Sequence, residues 1–136
     1  MALFADTFFW IAVTDPNDSA HRDALEITAE HADAALVTTD EVLTEYLAFF
    51  ANTNGALRRE AGAVVLGLLE SPKVRVIPQS RDSFLDGVAL YMARPDKGYS
   101  LTDCVSMQTM RREGLGDALT NDRHFEQEGF RAVLRK

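Results

Sequence analysis

The sequence predicts an α/β sandwich on a mostly parallel sheet, and three observations carry that prediction. Short apolar runs of strand length alternate with longer stretches of helical period. No repeat, low-complexity tract or linker interrupts the alternation. The 136 residues are 46% hydrophobic and 26% charged, enough apolar material for one domain to bury its own core. A single domain over 1–136 is therefore expected.

The elements follow in order. Strands are expected at Ala2 to Ala5, Ala35 to Thr38, Lys73 to Ile77, Asp117 to Leu119 and Phe130 to Leu134, each short and apolar. Between them, helical periodicity covers Thr7 to Val13, Ser19 to His31, Asp40 to Ala51, Ala56 to Glu70, Ser83 to Ala93 and Leu101 to Arg112. A short helix is expected at Arg123-His124-Phe125. Asp15-Pro16-Asn17-Asp18 reads as a turn, Asn52-Thr53-Asn54-Gly55 as a helix connection, and Gly114 as a helix stop.

The apolar start, MALFADTFFWIAV, carries no basic leader and is interrupted by Asp6, so it reads as retained core rather than a signal segment. No stretch approaches the ~20 apolar residues of a membrane span, and no membrane association is expected. A lone cysteine, Cys104, forms no internal disulfide and fits a reducing cytoplasm, where it reads as a small core residue. The net charge of -7 argues mildly against a nucleic-acid partner, because phosphate contacts come from basic surfaces. That argument weakens if the acids gather around cations that neutralise them locally.

Four carboxylates stand out. Asp6 closes the first strand and opens the first helix, at the sheet edge where open α/β folds bind ligands; a helix cap is the competing explanation. Asp122 follows the Asp117 to Leu119 strand in the same way, with a cap or turn role as its alternative. Asp103 shares a helix face with Met107 and Met110, and a carboxylate on an apolar stripe needs a partner, although Ser100-Leu101-Thr102-Asp103 also has the spacing of a capping box. Glu45 sits at the edge of the stripe formed by Val42, Leu43, Tyr46, Leu47, Phe49 and Phe50, where a solvated carboxylate is the simpler reading. Glu41 is explained by a capping box, Thr38-Thr39-Asp40-Glu41. Several carboxylates at one sheet edge suit hard divalent cations such as Mg2+ or Mn2+, which activate water for phosphodiester hydrolysis.

These segments resemble the signatures of the PIN-domain family, in particular its VapC-like branch. Phe4-Ala5-Asp6-Thr7 resembles the first motif, and Val37-Thr38-Thr39 with Val42-Leu43-Thr44-Glu45 the second. Ser100-Leu101-Thr102-Asp103-Cys104 resembles the third, and Ala118 to Phe125 followed by Gly129-Phe130 the fourth. The resemblance implies a three-layer α/β/α sandwich whose carboxyl edge gathers Asp6, Glu45, Asp103 and Asp122. It implies Mg2+ or Mn2+ held by Asp6, Asp103 and Asp122, with Glu45 completing the site. It also implies an endoribonuclease leaving a 5'-phosphate and a 3'-hydroxyl, restrained by an antitoxin protein and forming a homodimer. Phe8 departs from the family pattern, which more often has a smaller or polar residue there.

Thr7, Thr120 and Asn121 are candidate substrate contacts beside the acids, the last two equally readable as turn formers. Arg94 and Lys97, flanking Pro95-Asp96-Lys97-Gly98, are candidate phosphate contacts, as are Arg111, Arg112 and Arg123; solvated surface is the plainer explanation of each. His124 either contacts a phosphate or packs beside Phe125, and His21 and His31 read as surface residues. The apolar groups of the helices from Val42 to Leu69 read as internal packing, with a partner surface as the alternative. A non-catalytic module binding nucleic acid or protein is the rival function, but it needs none of the four acids. A response regulator or phosphatase would want a phospho-accepting Asp with a distant Lys, or Asp-x-Asp after the first strand, and Asp6-Thr7-Phe8 lacks the second Asp.

Overall fold

Burial on both faces decides which apolar runs become strands. In β1 (Ala2–Ala5), the successive residues Leu3, Phe4 and Ala5 are all fully buried, so both sides of this strand are covered by helices. It pairs in parallel with β2 (Ala35–Thr39), with Leu3 opposite Leu36, and with β4 (Asp117–Leu119), with Ala5 opposite Leu119. β3 (Val74–Ile77) and β5 (Arg131–Ala132) add the edges, also parallel, giving the order β3-β2-β1-β4-β5. The computed structural model describes residues 1–135. Around the sheet lie α1 (Thr7–Thr14), α2 (His21–Glu30), α3 (Asp40–Phe50), α4 (Gly55–Glu70), α5 (Arg81–Ala93), α6 (Leu101–Glu113) and α7 (Arg123–Gln127). The predicted α/β sandwich is the observed fold, with a sheet that is parallel throughout.

The strand order reverses between β1 and β4, which opens a crevice at their carboxyl ends. Asp6 and Asp122 both leave the sheet there.

Several boundaries move for local reasons. Asp15 and Asp18 accept bonds from the amides of Asn17 and Ala20, a pair of turns that delays α2 to His21 rather than Ser19. α5 begins at Arg81, two residues early, because Ser80 and Ser83 form a reciprocal cap. The cap of α3 is Thr39, which accepts from the Val42 amide, and not Thr38 as expected. Thr38 is occupied elsewhere: its hydroxyl donates to the Ala5 carbonyl at 2.8 Å and receives the Trp10 indole N–H at 3.3 Å. Glu41 is therefore not part of a capping box. β5 ends at Ala132 instead of Leu134, yet Val133 and Leu134 still donate to the carbonyls of Ala118 and Thr120. Gly114 stops α6 in the left-handed conformation, φ 70°, as expected of a helix-ending glycine.

The core gathers Phe4, Trp10, Tyr46, Phe50, Met107, Met110 and Phe125, with Cys104 buried among them. Two expectations about packing change. His21 and His31 are partly buried, their Nδ1 atoms against the carbonyls of Ala12 and Ile27. The α3–α4 apolar surface is not all internal: Phe49 is 53% and Leu66 67% exposed, because the stripe is wider than the helix face that meets the core. No helix among the described residues is long and apolar enough to cross a membrane.

α5 and α6 approach closely at Gly87, where an added Cβ would lie 2.6 Å from Val105 Cγ2 and 3.3 Å from the Val105 amide nitrogen. Gly87→Ala therefore trades a helix-propensity gain of about 1 kcal/mol against overpacking of about 1–3 kcal/mol. Net destabilisation by about 1 kcal/mol, read by urea denaturation, is the expected outcome; a stabilised variant would show that the two helices separate freely.

Candidate active site

Asp6 sits where β1 becomes α1. Its backbone is extended, φ -87° and ψ 168°, and its carbonyl accepts from the amides of Phe9 and Trp10. Its carboxylate makes no cap bond, which removes the competing explanation for this residue. Instead Asp6 Oδ2 accepts from the Thr120 hydroxyl at 3.0 Å, across from β1 to the end of β4. Asp6 is only 6% exposed.

Asp103 does serve a cap: its Oδ2 accepts from the Ser100 amide at 3.0 Å while Ser100 Oγ accepts from the Asp103 amide. That bond fixes the first turn of α6 and with it the position of the carboxylate. Asp122 caps α7 through the His124 amide at 2.9 Å, and its own amide donates to Thr120 Oγ1. Thr120 thus ties Asp6 to Asp122. Glu45, half-buried on α3, completes the ring.

These four acids line one open cleft of about 520 Å³, together with Thr7, Phe8, Ile11, Thr120, Asn121, Arg123 and Arg135. Each acid comes from a different element, so their meeting is a product of the fold. The electrostatics record the crowding. Burial pushes the Asp6 carboxyl up to about 7, reinforced by the charges of Asp103 and Glu45 and opposed by bonds from the Thr7 backbone and Thr120. Burial also raises Asp103, with Asp122 and Glu45 adding to the effect. Like charges held this close in a shielded cleft are what a divalent cation relieves.

The tightest set of ligating atoms among the described residues is Asp103, Asp122 and His124, all within 4.8 Å of one another. It contains two of the three expected ligands, with His124 where Asp6 was expected; Asp6 lies deeper in the same cleft. Oxygen donors with one imidazole suit a divalent ion. A buried polar atom without a partner, Nδ1 of His124, fits this use. Thr7 Oγ1 is likewise buried and unpartnered at the cleft wall.

The basic residues are distributed differently from expectation. Arg94 does not line the cleft: its guanidinium binds Glu128 through Nε at 2.9 Å. Lys97 is also absent from the lining, and its nearest carboxylate is that of Asp96 at 4.0 Å. Arg111 and Arg112 pair with Glu128 and Asp86. Arg123 and Arg135 take the places beside the acids. Arg123 was legible from its position after Asp122, but Arg135 was not. It reaches the cleft because the Leu134 amide bonds to the Thr120 carbonyl, carrying the chain alongside β4.

Comparison with known proteins agrees with the fold. The profile of the PIN domain matches residues 3–130. The 23S rRNA-specific endonuclease VapC20 of Mycobacterium tuberculosis is 26% identical over 128 residues, covering 94% of this chain and 95% of that protein. The crystal structure of VapC20 from the same organism, described as a Sarcin-Ricin loop cleaving toxin, superposes with a TM-score of 0.84 at 29% identity, covering 96% of this chain and 98% of that one. VapBC2 from Rickettsia felis, bound to a DNA fragment from its promoter, shares the fold at a TM-score of 0.66 and 14% identity, with 97% of each chain covered. With its sheet, its acid cleft and its match over nearly the whole length, the chain belongs to the PIN-domain family.

Proposed function

We propose that the protein is a divalent-metal-dependent endoribonuclease, the toxin of a toxin–antitoxin pair. The observation that carries the reading is the convergence of Asp6, Glu45, Asp103 and Asp122, from four separate elements, in one cleft at the strand-order reversal. The similarity to VapC20, an RNA endonuclease by name, supports RNA as the substrate.

In this reading Asp6, Asp103 and Asp122 hold Mg2+ or Mn2+, which when bound lowers the pKa of water and stabilises charge on a phosphodiester. Glu45, less buried and at the cleft wall, orients the attacking water. Thr7 donates its unpartnered hydroxyl toward substrate oxygen, and Asn121 offers an exposed amide at the rim. Thr120 is committed to Asp6 and the Asp122 amide, so it holds the acids in place. Arg123 puts positive charge beside the acids in a chain of net charge -7, which supports it as a phosphate contact, while Arg135 lines the same cleft but is paired with Glu126 at 2.7 Å. Arg94 is bound to Glu128, and Lys97 remains a peripheral contact only for a long RNA.

Exposed Phe49, Leu66 and Leu69 on α3 and α4, and Leu85, Tyr91 and Met92 on α5, support two protein partners, the antitoxin and a second copy of the chain. A cytoplasmic location fits both of these proposed partners.

The test is cleavage of an RNA pool containing 23S rRNA by purified protein in Mg2+, Mn2+ or EDTA, beside Asp103→Asn. Cutting that needs metal and falls roughly 10²–10⁴-fold in the folded variant is expected. Unchanged turnover in Asp103→Asn would sink the proposed site, and a folded protein that binds RNA but never cuts would favour a binding module.

A further inference from the structure

His124 stands beside the acids under tight control. Its ring meets Tyr99 edge-to-face, centroids 5.1 Å apart, and the Tyr99 hydroxyl donates to Glu128 at 2.8 Å. Glu128 is in turn gripped by Arg94 and Arg111. This chain of contacts fixes the plane and position of the imidazole. Its Nδ1 lies 3.4 Å from Asp122 Oδ1 and 3.8 Å from Asp103 Oδ2, yet makes no hydrogen bond and is shut off from solvent. As a protonated donor it would be a buried group left unsatisfied. As the lone-pair nitrogen of the neutral ring it is a ligand in search of a cation. The spacing agrees: ligands ~2.1 Å from one octahedral ion are separated by ~3.0 Å when adjacent and ~4.2 Å when opposite.

We infer that His124 is a nitrogen ligand for the divalent cation of the acid cleft, sharing it with Asp103 and Asp122 and biasing the site toward Mn2+ over Mg2+. The inference rests on the metal-nuclease reading above and adds to it. Mg2+ prefers a shell of oxygen alone, whereas imidazole nitrogen suits first-row transition ions, so one histidine among carboxylates shifts selectivity. Tyr99 and Glu128 act through His124 as positioning residues, as partners outside the coordination shell do for metal-bound histidines.

The experiment uses the untagged full chain loaded with Mn2+ and examined by electron spin-echo envelope modulation, which detects nitrogen bonded to the ion. Coupling to an imidazole nitrogen is expected, lost in His124→Gln and retained when His21 and His31 are both replaced by glutamine. The ratio of Mn2+ to Mg2+ affinity, from competition titration, is expected to fall on the order of tenfold in His124→Gln. Mn2+ that binds in an Asp103-dependent way without nitrogen coupling would overturn the role of His124 and leave the nuclease reading standing. Mn2+ that fails to bind, or binds equally to Asp103→Asn, would overturn both. Should His124→Gln not fold, the wild-type spectrum and His124→Asn decide the matter by the same criteria.

Discussion

Asp6→Asn is expected to lower RNA cleavage by roughly 10²–10⁴-fold while making the metal-free protein more stable at pH 8. Both effects come from one buried carboxylate. In the folded chain burial, with the charges of Asp103 and Glu45, raises Asp6 to about 7 from an ordinary value of 3.8. Between those two pH values the unfolded chain releases the proton and the folded chain keeps it, so stability falls as pH rises and levels off above 7. Asparagine still accepts the Thr120 hydroxyl but never ionises. In EDTA the variant is expected to gain about 2–3 kcal/mol at pH 8, a rise of roughly 5–10 °C in midpoint, and nothing near pH 4. Saturating Mn2+ is expected to reverse the order, because an ion that binds only the folded wild type adds about 4.1 kcal/mol at a thousandfold excess over Kd. Thermal melts at pH 4, 6 and 8, with EDTA and with Mn2+, check all of this. An Asp6→Asn protein that is less stable than wild type in EDTA at pH 8 would show that Asp6 is a structural acid rather than a charge kept for a cation.

How far the sequence reaches is seen in the same residues. Asp6 was legible because the apolar strand before it and the helix after it leave one position at the sheet edge, and the strand register adds only its partner, Thr120. Asp103 offered two readings that turned out compatible: one oxygen closes the Ser100 cap while the carboxylate faces the cleft. Glu45 was not legible from its place at the edge of an apolar stripe, where a solvated carboxylate was the simpler reading; the resemblance to the second family motif singled it out, and the fold brings that helix edge to the cleft wall. What escaped is tertiary. No local pattern tells that Thr38 spends its hydroxyl on Ala5 and Trp10 and so hands the α3 cap to Thr39. None tells that Arg94 turns to a glutamate 34 residues on, leaving Arg123 and Arg135 at the acids. Phe49 and Leu66 keep helical period but outrun the width of the core face, so periodicity overstates what is buried. Helix α6, by contrast, was drawn nearly to its ends, because the Ser100 cap and the terminal Gly114 are written locally, whereas the Ser80–Ser83 cap of α5 went unread and cost two residues.

Glu128 is the residue whose weight was least visible in the sequence, and Glu128→Ala is expected to cost about 2–4 kcal/mol at pH 7. Its side chain is 4% exposed and accepts from Arg94 Nε at 2.9 Å, Arg111 Nη2 at 2.8 Å and the Tyr99 hydroxyl at 2.8 Å. It thereby ties the end of α5, the start of α6 and the turn after α7 to one another. Burial alone would raise its carboxyl, but the bonds from Arg111, Arg94 and Tyr99 prevail and hold it at about 2 against an ordinary 4.5. Truncation leaves the Tyr99 hydroxyl buried without a partner, while both arginines, 39% exposed, swing to water. That escape keeps the loss below the upper end seen for fully buried pairs. Because the folded value is depressed, the charge stabilises fully above pH 4.5 and its contribution disappears as pH falls toward 2. Glu128→Gln, which keeps the shape and loses the charge, is therefore expected to trail wild type at pH 7 and to converge on it toward pH 2. Urea midpoints of both variants across that range decide it: a constant gap between Glu128→Gln and wild type would mean that the contacts, and not the charge, do the stabilising.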